Sequence, residues 1–150
     1  MKHEDYMRLA LAEAHAAARI GEMPVGAVCV RQDGTILARA HNLRESQKDP
    51  TAHAEILCLR QAAQAAGQWR LNDCTLYVTL EPCPMCAGAL LLSRISLCVY
   101  GAADPLRGCC GSVYDLPMDP MLQGQTAWIP GILEKECTDI LQDFFRERRE

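Results

Sequence analysis

A chain of 150 residues with 49% hydrophobic and 23% charged side chains has the composition of a folded globular domain, which excludes a disordered or low-complexity polymer. Its net charge of -4 excludes a broad basic surface for nonspecific nucleic-acid binding, because affinity for phosphates comes from clustered Lys and Arg. Nine cysteines, odd in number and scattered along an apolar sequence, are not the disulfide framework of a small secreted domain, so reduced thiols are free to pack or to bind a metal.

The first residues, Met1-Lys2-His3-Glu4-Asp5, are polar and lack the charged-then-apolar pattern of a secretory signal. No apolar stretch approaches the length of a membrane span, and a soluble, cytoplasmic protein without a membrane partner is expected. From His3 to Ile20, Tyr6, Leu9, Ala10, Ala14, Ala17 and Ile20 recur at helical spacing, with Gly21 as a stop. Val25 to Arg31 and Thr35 to Ala40 predict two paired strands around the turn Gln32-Asp33-Gly34.

His41 to Pro50 is polar and irregular. Ala52 to Ala66 predicts a second helix, capped by Asp49 and ended by Gly67. Cys74 to Thr79 predicts a strand, Cys83 to Ser93 a helix, and Ile95 to Tyr100 another strand. Closely spaced Gly and Pro from Gly108 to Gly124 predict loops around one short helix or strand. Thr126 to Ile129 predicts a last strand. An apolar stripe from Ile132 to Phe145 predicts a C-terminal helix. Its tail, Arg146-Glu147-Arg148-Arg149, is either a local basic patch or a solvated end whose cations complement the helix dipole. No linker or repeat breaks the chain, so one α/β domain over 1–150, with helices packed on a central mixed sheet, is expected.

The chemistry is concentrated in two short segments. Pro82-Cys83-Pro84-Met85-Cys86 follows a predicted strand and opens a helix, where sulfurs three residues apart can meet one ion. Alone, such a pair could equally be a redox dithiol or two small core residues. Thr51-Ala52-His53-Ala54-Glu55 adds an imidazole at another helix start. Three protein ligands leave a fourth position open for water, whose pKa a zinc ion lowers from about 15.7 to around 7. Glu55 lies about 200° from His53 on a regular helix, so the two can serve one site only over the helix end. There Glu55 is expected to move a proton between that water and a substrate, without being a ligand.

His-x-Glu with a later Pro-Cys-x-x-Cys is the signature of the zinc-dependent nucleobase deaminases. Beyond it, the chain resembles the bacterial tRNA-specific adenosine deaminases from about Tyr6 through Arg149. The resemblance is carried by Met23-Pro24-Val25-Gly26-Ala27-Val28, Asp49-Pro50-Thr51-Ala52-His53-Ala54-Glu55-Ile56, Leu76-Tyr77-Val78-Thr79-Leu80-Glu81-Pro82-Cys83 and Met85-Cys86-Ala87-Gly88-Ala89. Tyr100-Gly101-Ala102, Gly131-Ile132-Leu133 and Phe144-Phe145-Arg146 extend it.

The resemblance implies a three-layer α/β/α cytidine-deaminase-like fold, a homodimer and one zinc ion per chain on His53, Cys83 and Cys86. It implies hydrolytic conversion of adenosine to inosine, by zinc-bound hydroxide, at the wobble position of a tRNA anticodon stem-loop. It further implies Asn42 as a hydrogen-bonding group for a flipped base, Val25 as pocket wall, Asp104 beside the nucleotide and the Ala54 N–H at the reacting centre. The alternative is a deaminase of a free base or nucleoside: guanine, cytosine or cytidine. Two stretches depart from the family pattern. Leu106-Arg107-Gly108 stands where a Lys is expected before the Gly, and Gln123-Gly124 where an Asn-His pair is expected. The adjacent pair Cys109-Cys110 has no physical account in the sequence, with loop packing the favoured reading, and Glu81 is read as bracing a strand end.

Overall fold

The computed structural model describes residues 1–149. Helix α1 (His3–Arg19) precedes strands β1 (Gly26–Arg31) and β2 (Ile36–His41), then a short helix α2 (Arg44–Gln47) and α3 (Ala54–Ala66). Strand β3 (Cys74–Leu80), helix α4 (Pro84–Leu92) and strand β4 (Leu97–Ala102) follow. After a 3-10 turn at Pro120–Leu122 come β5 (Ala127–Ile129) and α5 (Glu134–Arg149). The five strands form one sheet in the order β2-β1-β3-β4-β5. β1 is antiparallel to both neighbours, whereas β3, β4 and β5 run parallel.

The alternation of side chains along each strand divides the core between the two faces. On one face Ala27, Cys29, Leu76, Val78 and Cys98 pack against Ala54, Cys58, Leu59 and Ala62 of α3 and Leu90 of α4. On the other, Val28, Val30, Tyr77 and Val99 pack against Tyr6, Met7, Ala10 and Leu11 of α1 and Cys137, Ile140 and Leu141 of α5. This is the expected α/β/α arrangement with a central mixed sheet. Cys29, Cys58, Cys74, Cys98 and Cys137 are all buried free thiols. Among the described residues, no helix is long and apolar enough to cross a membrane.

Several boundaries differ from the sequence reading, each for a local reason. The second long helix begins at Ala54 rather than Ala52, with His53 as its N-cap. Asp49 does not cap it, because its Oδ1 accepts from the backbone N and Oγ1 of Thr51 instead. β4 begins at Leu97 rather than Ile95, after Arg94 turns left-handed (φ 64°) and Ile95 N bonds back to Leu90 O. The polar 41–50 stretch contains the unpredicted helix α2. Buried Glu22 holds it, accepting from Glu45 N, Ser46 N and Ser46 Oγ. In the basic tail, Arg148 Nη2 donates to Gly21 O at 2.6 Å and Arg146 pairs with Asp143 at 3.3 Å, so these cations are engaged within the fold. The side chain of Arg149, and Glu150, lie outside the described residues.

Gly26 shows how closely α1 lies on the sheet. A Cβ there would stand 2.0 Å from Ala10 O and 2.6 Å from Ala14 N. Backbone cannot yield as a side-chain tip can, and overpacking costs about 1–3 kcal/mol or more. Gly26→Ala is expected to lower the thermal midpoint by about 5 °C or more, as read by circular dichroism. An unchanged midpoint would mean that α1 can move away from β1 at little cost.

Candidate active site

The topology brings four strand ends to one edge of the sheet. β3 and β4 run parallel, so Glu81 and Asp104 leave from the same edge. β1 is antiparallel to β3, so its start beside Val25 lies there too, and β2 returns to the same edge to deliver Asn42. The crevice beyond the C-terminal ends of parallel strands is where open α/β sheets place ligands. Here it is a cavity of about 130 Å³. Val25, Asn42, His53, Ala54, Glu55, Cys83 and Asp104 all line it, with Met23, Arg44, Leu80, Glu81 and Arg107 completing the wall.

Two helix starts meet in this cavity. His53 and Cys83 are the N-caps of α3 and α4, both with extended backbone and neither making a side-chain cap bond. Pro84 opens α4, where its missing N–H is not needed. Cys86 lies one turn in and is fully buried. His53 Nδ1 stands 3.6 Å from Cys83 Sγ and 3.5 Å from Cys86 Sγ, and the three ligand atoms lie within 4.8 Å of one another. A tetrahedral centre with metal–sulfur bonds of about 2.3 Å and metal–nitrogen bonds of about 2.0 Å separates its N and S donors by roughly 3.5 Å. The cluster therefore has the size and donor chemistry to hold a metal through three protein ligands.

The electrostatics are already polarised toward that use. The Cys86 thiol and, after it, the His53 imidazole donate to Cys83, holding its thiol down to about 4. The same contact pushes Cys86 up, and the hydrogen bond to Cys83 raises His53. Glu55, in the first turn of α3, is 4% exposed, and burial pushes its carboxyl up to about 7. It lies within hydrogen-bonding reach of the Cys86 thiol. A carboxyl poised near neutral pH can both take up and return a proton. Because His53 precedes the helix proper, the 200° separation does not arise, and both side chains reach the same space.

The remaining expected residues are present with structural duties of their own. Asn42 donates from Nδ2 to Met23 O at 3.2 Å and accepts from Arg44 N at Oδ1, which fixes its amide in the wall. Each of these groups retains capacity for one more hydrogen bond. Ala54 is the first residue of α3, so its N–H is among the amides without an intrahelical acceptor. Asp104 Oδ1 accepts from the amides of Leu106 and Arg107, closing a tight turn. Arg107 lines the cavity, whereas Leu106 is 84% exposed.

Sequence reasoning missed Glu22, Arg44 and most of what Glu81 does. The Glu81 carboxylate accepts from Asp104 N, Cys110 N, Ser112 N and Ser112 Oγ. Cys109 N donates to Pro82 O, and Tyr100 Oη donates to Cys110 O. The adjacent Cys109-Cys110 pair is thus a buried part of a loop stitched to the metal-ligand segment. The proximity of Glu81 to Cys83 was the only sequence signal pointing there.

A profile of the MafB19-like deaminases matches residues 1–149. Over 146 residues the chain is 51% identical to the tRNA-specific adenosine deaminase of Bacillus subtilis (strain 168), covering 97% of this chain and 90% of that protein. It is 46% identical over 147 residues to the tRNA-specific adenosine deaminase of Haemophilus influenzae, covering 98% of this chain and 85% of that protein. A solved structure from work on A-to-I editing by tRNA:A34 deaminases at the wobble position superposes with a TM-score of 0.87 at 43% identity. That match covers 91% of this chain and 99% of the other.

The cluster makes a spectroscopic prediction. Cobalt(II) added to metal-free protein should give thiolate-to-metal charge-transfer absorption and the d–d bands of a tetrahedral ion. Cys83→Ser should weaken the charge-transfer band and lower affinity. Octahedral bands without thiolate absorption would show that the three side chains do not converge on one ion.

Proposed function

This chain belongs to the tRNA-specific adenosine deaminases, and we infer that it hydrolyses adenosine to inosine at the wobble position of tRNA anticodons. The observation that carries the inference is one cavity holding a three-donor metal cluster, a buried carboxyl and an amide-lined wall, within a fold matched along nearly its whole length. The metal assigned to His53, Cys83 and Cys86 is one zinc ion, supported by the N/S donor set and its tetrahedral spacing. When bound, zinc supplies Lewis-acid activation of water, bringing its deprotonation near neutral pH.

The protein's own groups then divide the work. Glu55 accepts the proton of the attacking water and delivers a proton to the purine, so that the exocyclic amine leaves as ammonia. The net change is adenosine plus water to inosine plus ammonia. Its burial favours this use, since a carboxyl near 7 is neither too weak a base nor too weak an acid. The Ala54 N–H, at the open end of α3, stabilises developing charge at the reacting carbon's substituents. Asn42 reads the edge of a flipped base with the hydrogen-bonding capacity left on its amide, and Val25 packs against the ring. Asp104 stands beside the nucleotide at the cavity wall.

The unit proposed is a single deaminase domain spanning 1–150, acting in the cytoplasm as a homodimer on the anticodon stem-loop. Exposed apolar side chains at Trp69, Leu92 and Met121 offer surface that a second copy would cover.

Zinc-loaded protein incubated with a stem-loop carrying wobble adenosine should release inosine on nucleoside analysis. Faster turnover of free guanine, cytosine or cytidine would move the substrate assignment to small molecules. Glu55→Gln should retain zinc and lose about 10²- to 10⁴-fold in turnover. An active variant would remove Glu55 from the proton path. Arg107→Ala should flatten the dependence of log affinity on log salt by about one unit if its guanidinium meets a phosphate, and leave the slope unchanged if it does not.

A further inference from the structure

Glu81 directly follows β3, two residues before Cys83, is 2% exposed, and has its carboxylate bound by the loop after β4. Four donors converge on it. Oε1 accepts from Asp104 N at 3.0 Å and from the Ser112 hydroxyl, while Oε2 accepts from Cys110 N at 3.0 Å and Ser112 N at 3.1 Å. A carboxylate offers about four acceptor sites, so this one is saturated by a single loop. Its own N–H donates to Ala102 O, and Pro82 O accepts from Cys109 N, so backbone bonds flank the carboxylate on either side.

The loop is shaped around this group. A Cβ on Gly108 would lie 2.3 Å from Glu81 Cδ and 2.4 Å from its Oε1, so no larger residue fits while the carboxylate stays in place. Gly108 N bonds to Asp104 O at 2.9 Å, which closes the turn carrying Leu106 and Arg107. Asp104 and Arg107 are the two wall residues this loop brings to the cavity. Their positions therefore depend on a carboxylate that itself belongs to the segment bearing a metal ligand.

We propose that Glu81 is a positioning residue for substrate recognition: it clamps the 104–112 loop to the metal-ligand segment and so sets where Asp104 and Arg107 meet the nucleotide. The proposal rests on the RNA-deaminase reading for its substrate, though not for the clamp itself. Charge-assisted bonds to a carboxylate are short and strong, and a loop held by three backbone amides and one hydroxyl is pre-organised before substrate arrives. Glutamine in place of Glu81 has the same shape. Its NH₂, however, cannot accept: even with that NH₂ turned to the Ser112 hydroxyl, which can accept from it, the amide faces the N–H of Asp104, which loses its acceptor.

The test uses zinc-loaded full-length protein with Glu81→Gln, Ser112→Ala and Gly108→Ala. Glu81→Gln should raise KM for the stem-loop on the order of tenfold while kcat changes little and zinc content stays the same. Hydrogen exchange across residues 103–113 should accelerate in the same variant. Ser112→Ala, which removes one donor and folds with the least disturbance, should show the same split more weakly. Gly108→Ala presses on the carboxylate from the loop side. Combined with Glu81→Gln, it should shift KM no further than the larger single effect, because both variants break one clamp. The proposal is overturned if exchange in 103–113 is unchanged, or if the loss in Glu81→Gln falls on kcat and zinc content instead of KM. Multiplicative KM effects in the double variant would also overturn it. Should wild-type protein make no inosine, the functional reading fails, and the exchange measurement still decides whether Glu81 holds the loop.

Discussion

Two helices start at the same point, and each starts with its cap left undone. An N-cap Ser, Thr, Asp or Asn normally satisfies a first-turn amide, and losing that bond costs about 1 kcal/mol. His53 and Cys83 occupy the caps of α3 and α4, make no cap bonds, and aim their side chains at one another. The unfilled amides of both first turns then favour negative charge nearby, which suits thiolates. Two missing caps cost roughly 2 kcal/mol, small beside the roughly 10 kcal/mol that zinc binding can supply. An arrangement unfavourable for either helix alone becomes favourable when both share a cation.

That meeting point fixes where polar groups can be buried. Glu22, Asn42, Glu55 and Glu81 are among the few buried polar or charged residues, and all four are at or beside the cavity. Three of them face backbone amides: Glu22 holds the start of α2, Asn42 accepts from Arg44, and Glu81 holds the loop after β4. Each would be costly if left unpaired in the interior. The mixed sheet makes this economical in chain length. Antiparallel β1 and β2 and parallel β3 and β4 all open on one edge, so short segments suffice to build the wall.

The sequence made the groups that meet in the cavity legible and left their supports hidden, and the reason is physical. His53 with Glu55, and Cys83 with Cys86, are local pairs whose geometry follows from helix phase and strand-to-helix order. The phase argument even required a site over the end of α3, and the extended backbone of His53 is how the chain meets that requirement. Glu22 and Glu81 carry no such mark. Their partners are main-chain amides 23 to 31 residues away, and any residue type can present an amide. Asp49 misled because an Asx turn and an N-cap have the same residue preferences. The boundary was decided instead by which side chain had to point into the cavity.

The two departures from the family pattern can be judged by what the backbone permits. Gly124 sits where the resemblance leads one to expect a His, but a Cβ there would lie 2.2 Å from Pro117 O and 3.0 Å from Asp119 N. Gln123 before it ends the 3-10 turn in the left-handed region, at φ 55°. This loop follows a path that admits no side chain at 124, so placing a His there would require the backbone to move. The 106–108 departure is of the opposite kind. Gly108 is held to glycine by the Glu81 carboxylate, the turn is closed by Asp104, and Arg107 still lines the cavity with a positive charge. There the backbone is pinned, and the segment still presents a cation in Arg107. A cation is therefore kept at this wall, whereas at Gly124 the backbone itself excludes a side chain.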